Sequence, residues 1–267
     1  MSPDLVTLLC TVRDCRQPLA SDERSFACWR GHSFDIARSG YVNLLQPQER
    51  RSKNPGDSAE AVAARRRFLD RGFADPLRAR IVELVAPLAP KSILDSGCGE
   101  GYYLGALAAA TGAESHGIDI STAAIEAAAK RYRDCTWVVG NADRFLPYED
   151  HSFDVVLSIT GRMNVDELHR VIAPGGTMFV AVSAPEDLGE LRGVANRDRV
   201  ARTIETFANR FEFVDQTRVS TVAQLDDESA RDILVATYRP RDASARQVTL
   251  ALDVLRFTPR SLSPSAV

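Results

Sequence analysis

The stretch Ser92-Ile93-Leu94-Asp95-Ser96-Gly97-Cys98-Gly99-Glu100-Gly101-Tyr102-Tyr103 constrains the fold of this chain more than any other. It opens as a short apolar strand, turns at three alternating glycines and runs into a helical pattern from Leu104 to Ala110. A glycine turn between strand and helix lets backbone approach a ligand, and the helix start offers unpaired N–H groups. The spacing is G-x-G-x-G, with Asp95 two positions before the first glycine. Dinucleotide enzymes instead use G-x-G-x-x-G around a pyrophosphate. The tighter spacing predicts a loop packed against the methionine end of S-adenosylmethionine (SAM), where no pyrophosphate has to be neutralised. A turn that serves only to start a helix would satisfy the same spacing.

From Lys91 onward, strand and helix patterns alternate, as in a doubly wound α/β sheet. Strands are expected at Ile93–Leu94, ending at Asp119, at Thr136–Val139, at Phe153–Ile159 and at Thr177–Val182. The intervening helices fall near 104–110, 123–132 and 166–172, with a turn at Pro174-Gly175-Gly176. Beyond them come a helix at 197–208, strands at 211–219 and 248–257, and a polar helical insertion near 226–236. The Ser/Pro-rich tail after Arg260 reads as frayed.

Three acidic positions fall at predicted carboxyl ends of strands, where open α/β sheets bind ligands. Asp95 can meet an ammonium group. Asp119, 18 residues after Gly101, can accept from ribose hydroxyls, with Ile120 beside it. Asn141-Ala142-Asp143 follows the third strand and can pair with an adenine edge. Gly97, Gly99, Gly101 and Tyr102 complete the expected cofactor site. Each acid taken alone would also serve as a helix cap.

The first 45 residues read as a separate small module, followed by a linker with helices over 46–90 and the catalytic body over 91–260. Cys10-x4-Cys15 and Cys28-x3-His32 are two soft-ligand pairs about a dozen residues apart. A module this small needs a staple, and three thiolates with one imidazole make a closed tetrahedral zinc set. A closed set is structural, with no position left for water chemistry. Five cysteines in 267 residues do not make a disulfide scaffold. No run of about 18 apolar residues occurs and Met1–Cys10 lacks a signal-peptide pattern, so a cytoplasmic protein is expected.

The net charge of −3 hides a gradient. Residues 1–80 carry 14 basic against 10 acidic side chains, and the remainder 19 against 26. A basic front on an acidic body suits a polyanionic partner, and the run Arg65-Arg66-Arg67 is the densest part of it. Solvated helix faces would account for the same charges.

The chain resembles the RlmA-type 23S rRNA guanine-N1-methyltransferases across roughly residues 10–195. The resemblance is carried by Cys10, Cys15, Cys28 and His32, and by Gly31-His32-Ser33-Phe34-Asp35. It is also carried by Gly40-Tyr41-Val42-Asn43-Leu44-Leu45, Pro55-Gly56-Asp57-Ser58-Ala59-Glu60, Ala64-Arg65-Arg66, Phe68-Leu69-Asp70, and Leu94 through Tyr103. It implies a Rossmann-like class I methyltransferase with an N-terminal zinc-binding module, SAM as methyl donor and a 23S rRNA hairpin as partner. Guanine N1 would be the acceptor. Members of that family often pair two chains, which makes a homodimer the implied assembly.

Two segments depart from the family pattern. After the fourth strand the chain reads Ile159-Thr160-Gly161-Arg162-Met163-Asn164 where an Ala-Pro pair is usual. Near the C-terminus Leu234–Arg239 replaces a Met-Thr-Pro stretch. Thr160, Arg162 and Asn164 are the positions expected to hold the acceptor, in a rebuilt pocket. No general base is legible. A small-molecule acceptor on the same scaffold, or a non-catalytic RNA-binding role that keeps SAM, are the competing readings.

Overall fold

The computed structural model describes residues 6–49, 55–237 and 244–261. All of the expected frayed tail beyond Ser261 and part of the altered 234–239 segment lie outside them.

A small antiparallel sheet comes first: β1 (Ala20–Ser21), β2 (Ser25–Ala27) and β3 (Ser33–Asp35). The chain then makes β4 (Tyr41–Asn43), α1 (Ala59–Asp70) and α2 (Asp75–Val85). Ser58 caps α1 by accepting the Ala61 N–H at 3.1 Å, and a proline in the first turn of α2 costs nothing, since that N–H has no helical partner. Alternation follows: β5 (Ser92–Ser96), α3 (Tyr102–Thr111), β6 (Glu114–Asp119), α4 (Thr122–Arg131), β7 (Thr136–Val139), β8 (Phe153–Ile159), α5 (Val165–Val171) and β9 (Ile172–Ser183). The C-terminal part adds α6 (Gly189–Arg192), α7 (Val200–Phe207), β10 (Phe211–Gln224), α8 (Asp227–Ala236) and β11 (Gln247–Pro259).

Eight strands form the large sheet in the order β10-β11-β9-β8-β5-β6-β7-β4. Strands from β4 to β9 run parallel, while β11 and β10 form an antiparallel edge. Strand order reverses between β5 and β8, which opens a crevice at their carboxyl ends. The Pro174-Gly175-Gly176 segment, expected as a turn, lies inside β9. The pairing with β8 jumps there from Phe153↔Ile172 to Val155↔Thr177, so the glycines form a bulged excursion within one strand.

Successive residues of the central strands enter two cores. Ile93, Val155, Leu157 and Phe179 pack with Leu104, Leu107 and Ile125 under α3 and α4. Leu94, Val156, Met178 and Val180 face the other way, onto Leu168, Val171 and Phe207 of α5 and α7. The connection from β7 to β8, residues 140–152, contains no helix. The gap on this second face is filled by the N-terminal module: Leu8, Cys10, Cys15, Leu19 and Cys28 join the same core as Ile118, Val138 and Tyr148. Leu9 donates its N–H to the Pro147 carbonyl at 2.9 Å.

The boundary expected at residue 45 therefore falls inside continuous packing. β4 pairs in parallel with β7, Val42 opposite Val138, and belongs to the large sheet rather than to the small module. The residues of β4 alone carry no information about which distant strand they pair with.

Candidate functional site

The N-terminal module gathers its four predicted ligands. Two knuckles do so: Cys15 N–H donates to the Val12 carbonyl at 3.0 Å, and Gly31 N–H donates to the Cys28 carbonyl at 2.9 Å. Gly31 takes φ +85°, which lets the second knuckle turn sharply enough to return His32. The four donor atoms lie within 4.8 Å of one another. Cys15 Sγ and Cys28 Sγ are 3.8 Å apart, and His32 Nδ1 is 3.4 Å from Cys10 Sγ and 3.5 Å from Cys28 Sγ. A tetrahedron with Zn–S near 2.3 Å and Zn–N near 2.05 Å has edges of about 3.8 Å and about 3.5 Å. The donor set fits zinc in both chemistry and spacing.

At the switch point between β5 and β8 lies a cavity of about 980 Å³. Its wall includes Asp95, Gly97, Gly99, Tyr102, Asp119, Ile120, Asn141, Ala142, Asp143, Thr160 and Arg162. These residues are scattered over 68 positions in sequence and come together because each sits at, or just after, a strand's carboxyl end. The loop 97–101 is pinned at its start and at its middle. Gly97 N–H donates to the Ile118 carbonyl at 2.8 Å, and Gly99 N–H donates to Asp119 Oδ2 at 3.0 Å. Asp119 Oδ1 accepts the Ser121 N–H at 2.8 Å, so each oxygen retains acceptor capacity in a residue that lines the cavity.

Gly101 is outside the cavity wall and does a different job. A Cβ there would stand 2.4 Å from the Trp137 ring, so only glycine lets α3 start this close to the sheet. Asn164 also stands back from the wall. Its side chain caps α5 by accepting the Glu167 N–H and donates to the Asp143 carbonyl at 2.8 Å. Arg162 reaches Asp143 at 3.3 Å. Together these bonds tie the loop after β8 to the loop after β7.

Several residues of the wall were not singled out from sequence. Arg65 was read as part of a basic helix face. The structure places it between Asp57, in an ion pair, and Glu100, at 3.4 Å. Arg66 pairs with Asp70, and Arg67 with the buried Asp232 at 2.5 Å, so the arginine run of α1 is spent on intramolecular ion pairs rather than presented to a polyanion. Residues 55–57 fold over the mouth, where Ser121 Oγ donates to the Asp57 carbonyl at 2.8 Å. The Gly-Asp-Ser segment was visible in the sequence, but nothing local placed it against a strand end 64 residues away.

Six carboxylates line this cavity against three guanidiniums: Glu49, Asp57, Asp95, Glu100, Asp119 and Asp143 against Arg65, Arg144 and Arg162. That balance suits a cationic ligand and would repel a pyrophosphate. Asp95 is fully buried, and its Oδ1 has no hydrogen-bond partner among the described residues. Burial, aided by the Asp119 charge, pushes its carboxyl up to about 7. Burial also raises Asp119 and Glu100 above the usual carboxylate range, Arg65 opposing the rise at Glu100. An unpartnered buried carboxylate is what a ligand ammonium group would satisfy.

Comparison with known proteins agrees with this geometry. Residues 9–53 match the family model for the RlmA N-terminal zinc ribbon, and residues 93–176 match a methyltransferase domain. A solved TehB-like SAM-dependent methyltransferase from Corynebacterium glutamicum ATCC 13032 superposes with a TM-score of 0.50 at 20% identity, covering 76% of this chain and 98% of that one. That likeness concerns the fold alone. Fold, cavity and family model together define a SAM-dependent methyltransferase carrying a structural zinc ribbon.

Two relatives narrow the class. The 23S rRNA (guanine(748)-N(1))-methyltransferase of Streptomyces fradiae is 33% identical, over 80% of this chain and 79% of its own. YxjB of Bacillus subtilis (strain 168), provisionally named a 23S rRNA (guanine-N(1)-)-methyltransferase, is 34% identical, over 94% of this chain and 93% of its own. The chain belongs to the RlmA-type 23S rRNA guanine-N1-methyltransferase family.

Proposed function

We propose that this protein transfers a methyl group from SAM to N1 of a guanine in 23S rRNA. The observation that carries the reading is the identity of 33–34% to guanine-N1-methyltransferases over most of both chains, ribbon and catalytic body together. Bound SAM supplies an electrophilic methyl group for in-line displacement, so the protein's task is to position the acceptor and exclude water.

In this reading Asp95 receives the ligand's ammonium group and Asp119 the ribose hydroxyls. Backbone of the 97–101 loop lies along the methionine end, and Asn141–Asp143 meet the adenine edge. Cys10, Cys15, Cys28 and His32 hold zinc that shapes the ribbon. Thr160 borders the acceptor side. Arg162 keeps an exposed guanidinium for RNA, and Asn164 acts through its cap by holding the loop that carries both. No helix among the described residues is long and apolar enough to cross a membrane, and an rRNA substrate supports a cytoplasmic location. A homodimer is the expected assembly, checked by light scattering.

The test is transfer from labelled SAM to 23S rRNA lacking N1-methylguanine, followed by nucleoside mass spectrometry. Label recovered as N1-methylguanosine is the expected result. Intact SAM binding with no label on RNA would instead favour the small-molecule acceptor that the altered 159–164 segment suggests.

A further inference from the structure

A second cavity, of about 1060 Å³, opens directly beside the first. The two share Arg65, Leu69, Tyr103, Thr160 and Gly161, so they adjoin each other where α1 meets the carboxyl end of β8. The second is built differently. Phe68, Leu77, Leu250 and Leu252 give it an apolar floor, and Ile233 of α8 closes one side. Its volume is that of a site that takes a whole small molecule or one nucleotide.

The mouth is cationic. Arg197, Arg199 and Arg202 line it within six residues, on the segment leading into the first turn of α7. All three side chains are exposed, and among the described residues none forms an ion pair or hydrogen bond through its guanidinium. That differs from α1, where Arg65, Arg66 and Arg67 each have a carboxylate. The one acid within the ridge, Asp198, accepts the Val200 N–H at 2.9 Å. Arg192, deeper in, is held by Asn196 at 2.6 Å and by the Asp187 carbonyl. Three adjacent unpaired cations raise the local potential at no gain in stability, which is the electrostatic footprint of a phosphate contact.

At the junction, Thr160 takes φ +54° although it is β-branched, a conformation that costs energy and clusters at functional sites. Its N–H donates to the Ala181 carbonyl at 2.8 Å, which holds the strained turn in place. Thr160 and Gly161 of this turn, with the half-buried Tyr103 ring, stand among the residues common to both cavities.

We propose that the second cavity receives one extruded RNA nucleotide and that the Arg197–Arg199–Arg202 ridge grips the phosphates flanking it. The base enters the apolar chamber, and its reacting edge turns past Thr160 and Tyr103 toward the donor cavity. Flipping is required because an atom inside a stacked helix is out of reach, and an apolar, partly aromatic pocket offsets the lost stacking. The assignment deepens the rRNA reading above and rests on it for the nature of the acceptor.

The test uses the full chain with an R197A/R199A/R202A triple variant, a 23S rRNA hairpin fragment and two readouts. RNA affinity by fluorescence anisotropy is expected to fall at least tenfold, and the slope of log affinity against log salt to flatten by about 3, one for each lost phosphate contact. SAM affinity by calorimetry is expected to stay within twofold, and the R197K/R199K/R202K variant to regain most of the RNA affinity through charge alone. Unchanged RNA affinity and salt slope, or a wild-type chain that binds no RNA, would overturn the ridge. Leu250→Trp fills the chamber floor and is expected to lower RNA methylation at least 100-fold with SAM affinity retained; methylation at the wild-type rate would overturn the chamber. A wild-type chain that moves no methyl to guanine, yet loses RNA affinity in the alanine variant, supports the ridge and sinks only the guanine reading.

Discussion

Asp95 concentrates the chemistry of the donor cavity into one buried carboxyl. The folded chain holds its proton up to about pH 7, while the unfolded chain releases it near the ordinary value of 3.8. Between those values the folded state binds more protons, so burying this group costs stability as pH rises from about 4 to about 7. Three pH units correspond to at most about 4 kcal/mol. Asp95→Asn is therefore expected to raise the melting temperature of the SAM-free chain at pH 8 but not at pH 4, while weakening SAM binding. Thermal scans at the two pH values decide it, and equal melting of variant and wild type at pH 8 would remove the strain from Asp95. Asp119 is spent differently, with each oxygen already accepting a backbone N–H from the loop it organises. Asp119→Ala should weaken SAM binding by about 1–3 kcal/mol, through lost charged hydrogen bonds and a loosened 97–101 loop; unaltered affinity by calorimetry would take Asp119 out of the site.

Among the elements, α8 is tied to α1 and the turn after it by a small ion-pair cluster centred on Asp232. Asp232, buried on its inner face, accepts from Arg67 of α1 and from Arg71 at the C-cap of α1, and Glu228 adds a second pair to Arg71 at 2.9 Å. The two arginines reach solvent, so losing the carboxylate strands no fully buried cation. Asp232→Ala is expected to cost about 1–3 kcal/mol, below the loss for a wholly buried pair. Urea unfolding would show it as a lower midpoint at constant slope. Because α8 walls the second cavity, RNA methylation should fall more than SAM affinity in this variant. Here the arginine run was legible as charge, but its partner lies 165 residues away, and a helix face carries no sign of whether its charges are met from outside or within.

At the scale of the molecule, the zinc ribbon takes the place of a helix. No helix covers the sheet between β7 and β8, and the ribbon's cysteines and leucines bury that face instead. Zinc therefore supports the catalytic body as well as the ribbon. Chelation, or the C10S/C15S double variant, is expected to lower the melting temperature of the whole chain in a single transition, with SAM affinity falling alongside it. Two transitions, the larger at its original temperature, would show the ribbon to be an independent module. Elemental analysis should find one zinc per chain lost in the double variant.

What the amino-acid sequence determined by itself was local. The Cys-x4-Cys and Cys-x3-His pairs, the glycine loop between strand and helix, and an acid at the next strand end are each set by a few neighbouring residues whose geometry follows from their spacing. They were enough to bring out the cofactor, the metal and the succession of strands and helices along the chain. Tertiary structure decided whatever depended on partners distant in sequence. It put β4 into the large sheet, turned the α1 arginines inward, made Asn164 a cap and set the ribbon against a bare sheet face. It also opened a second chamber beside Thr160. The physical reason is that a hydrophobic pattern or a charge states that a face must be covered, while what covers it is chosen by long-range packing, where the entropic cost of closing a loop grows only slowly with its length.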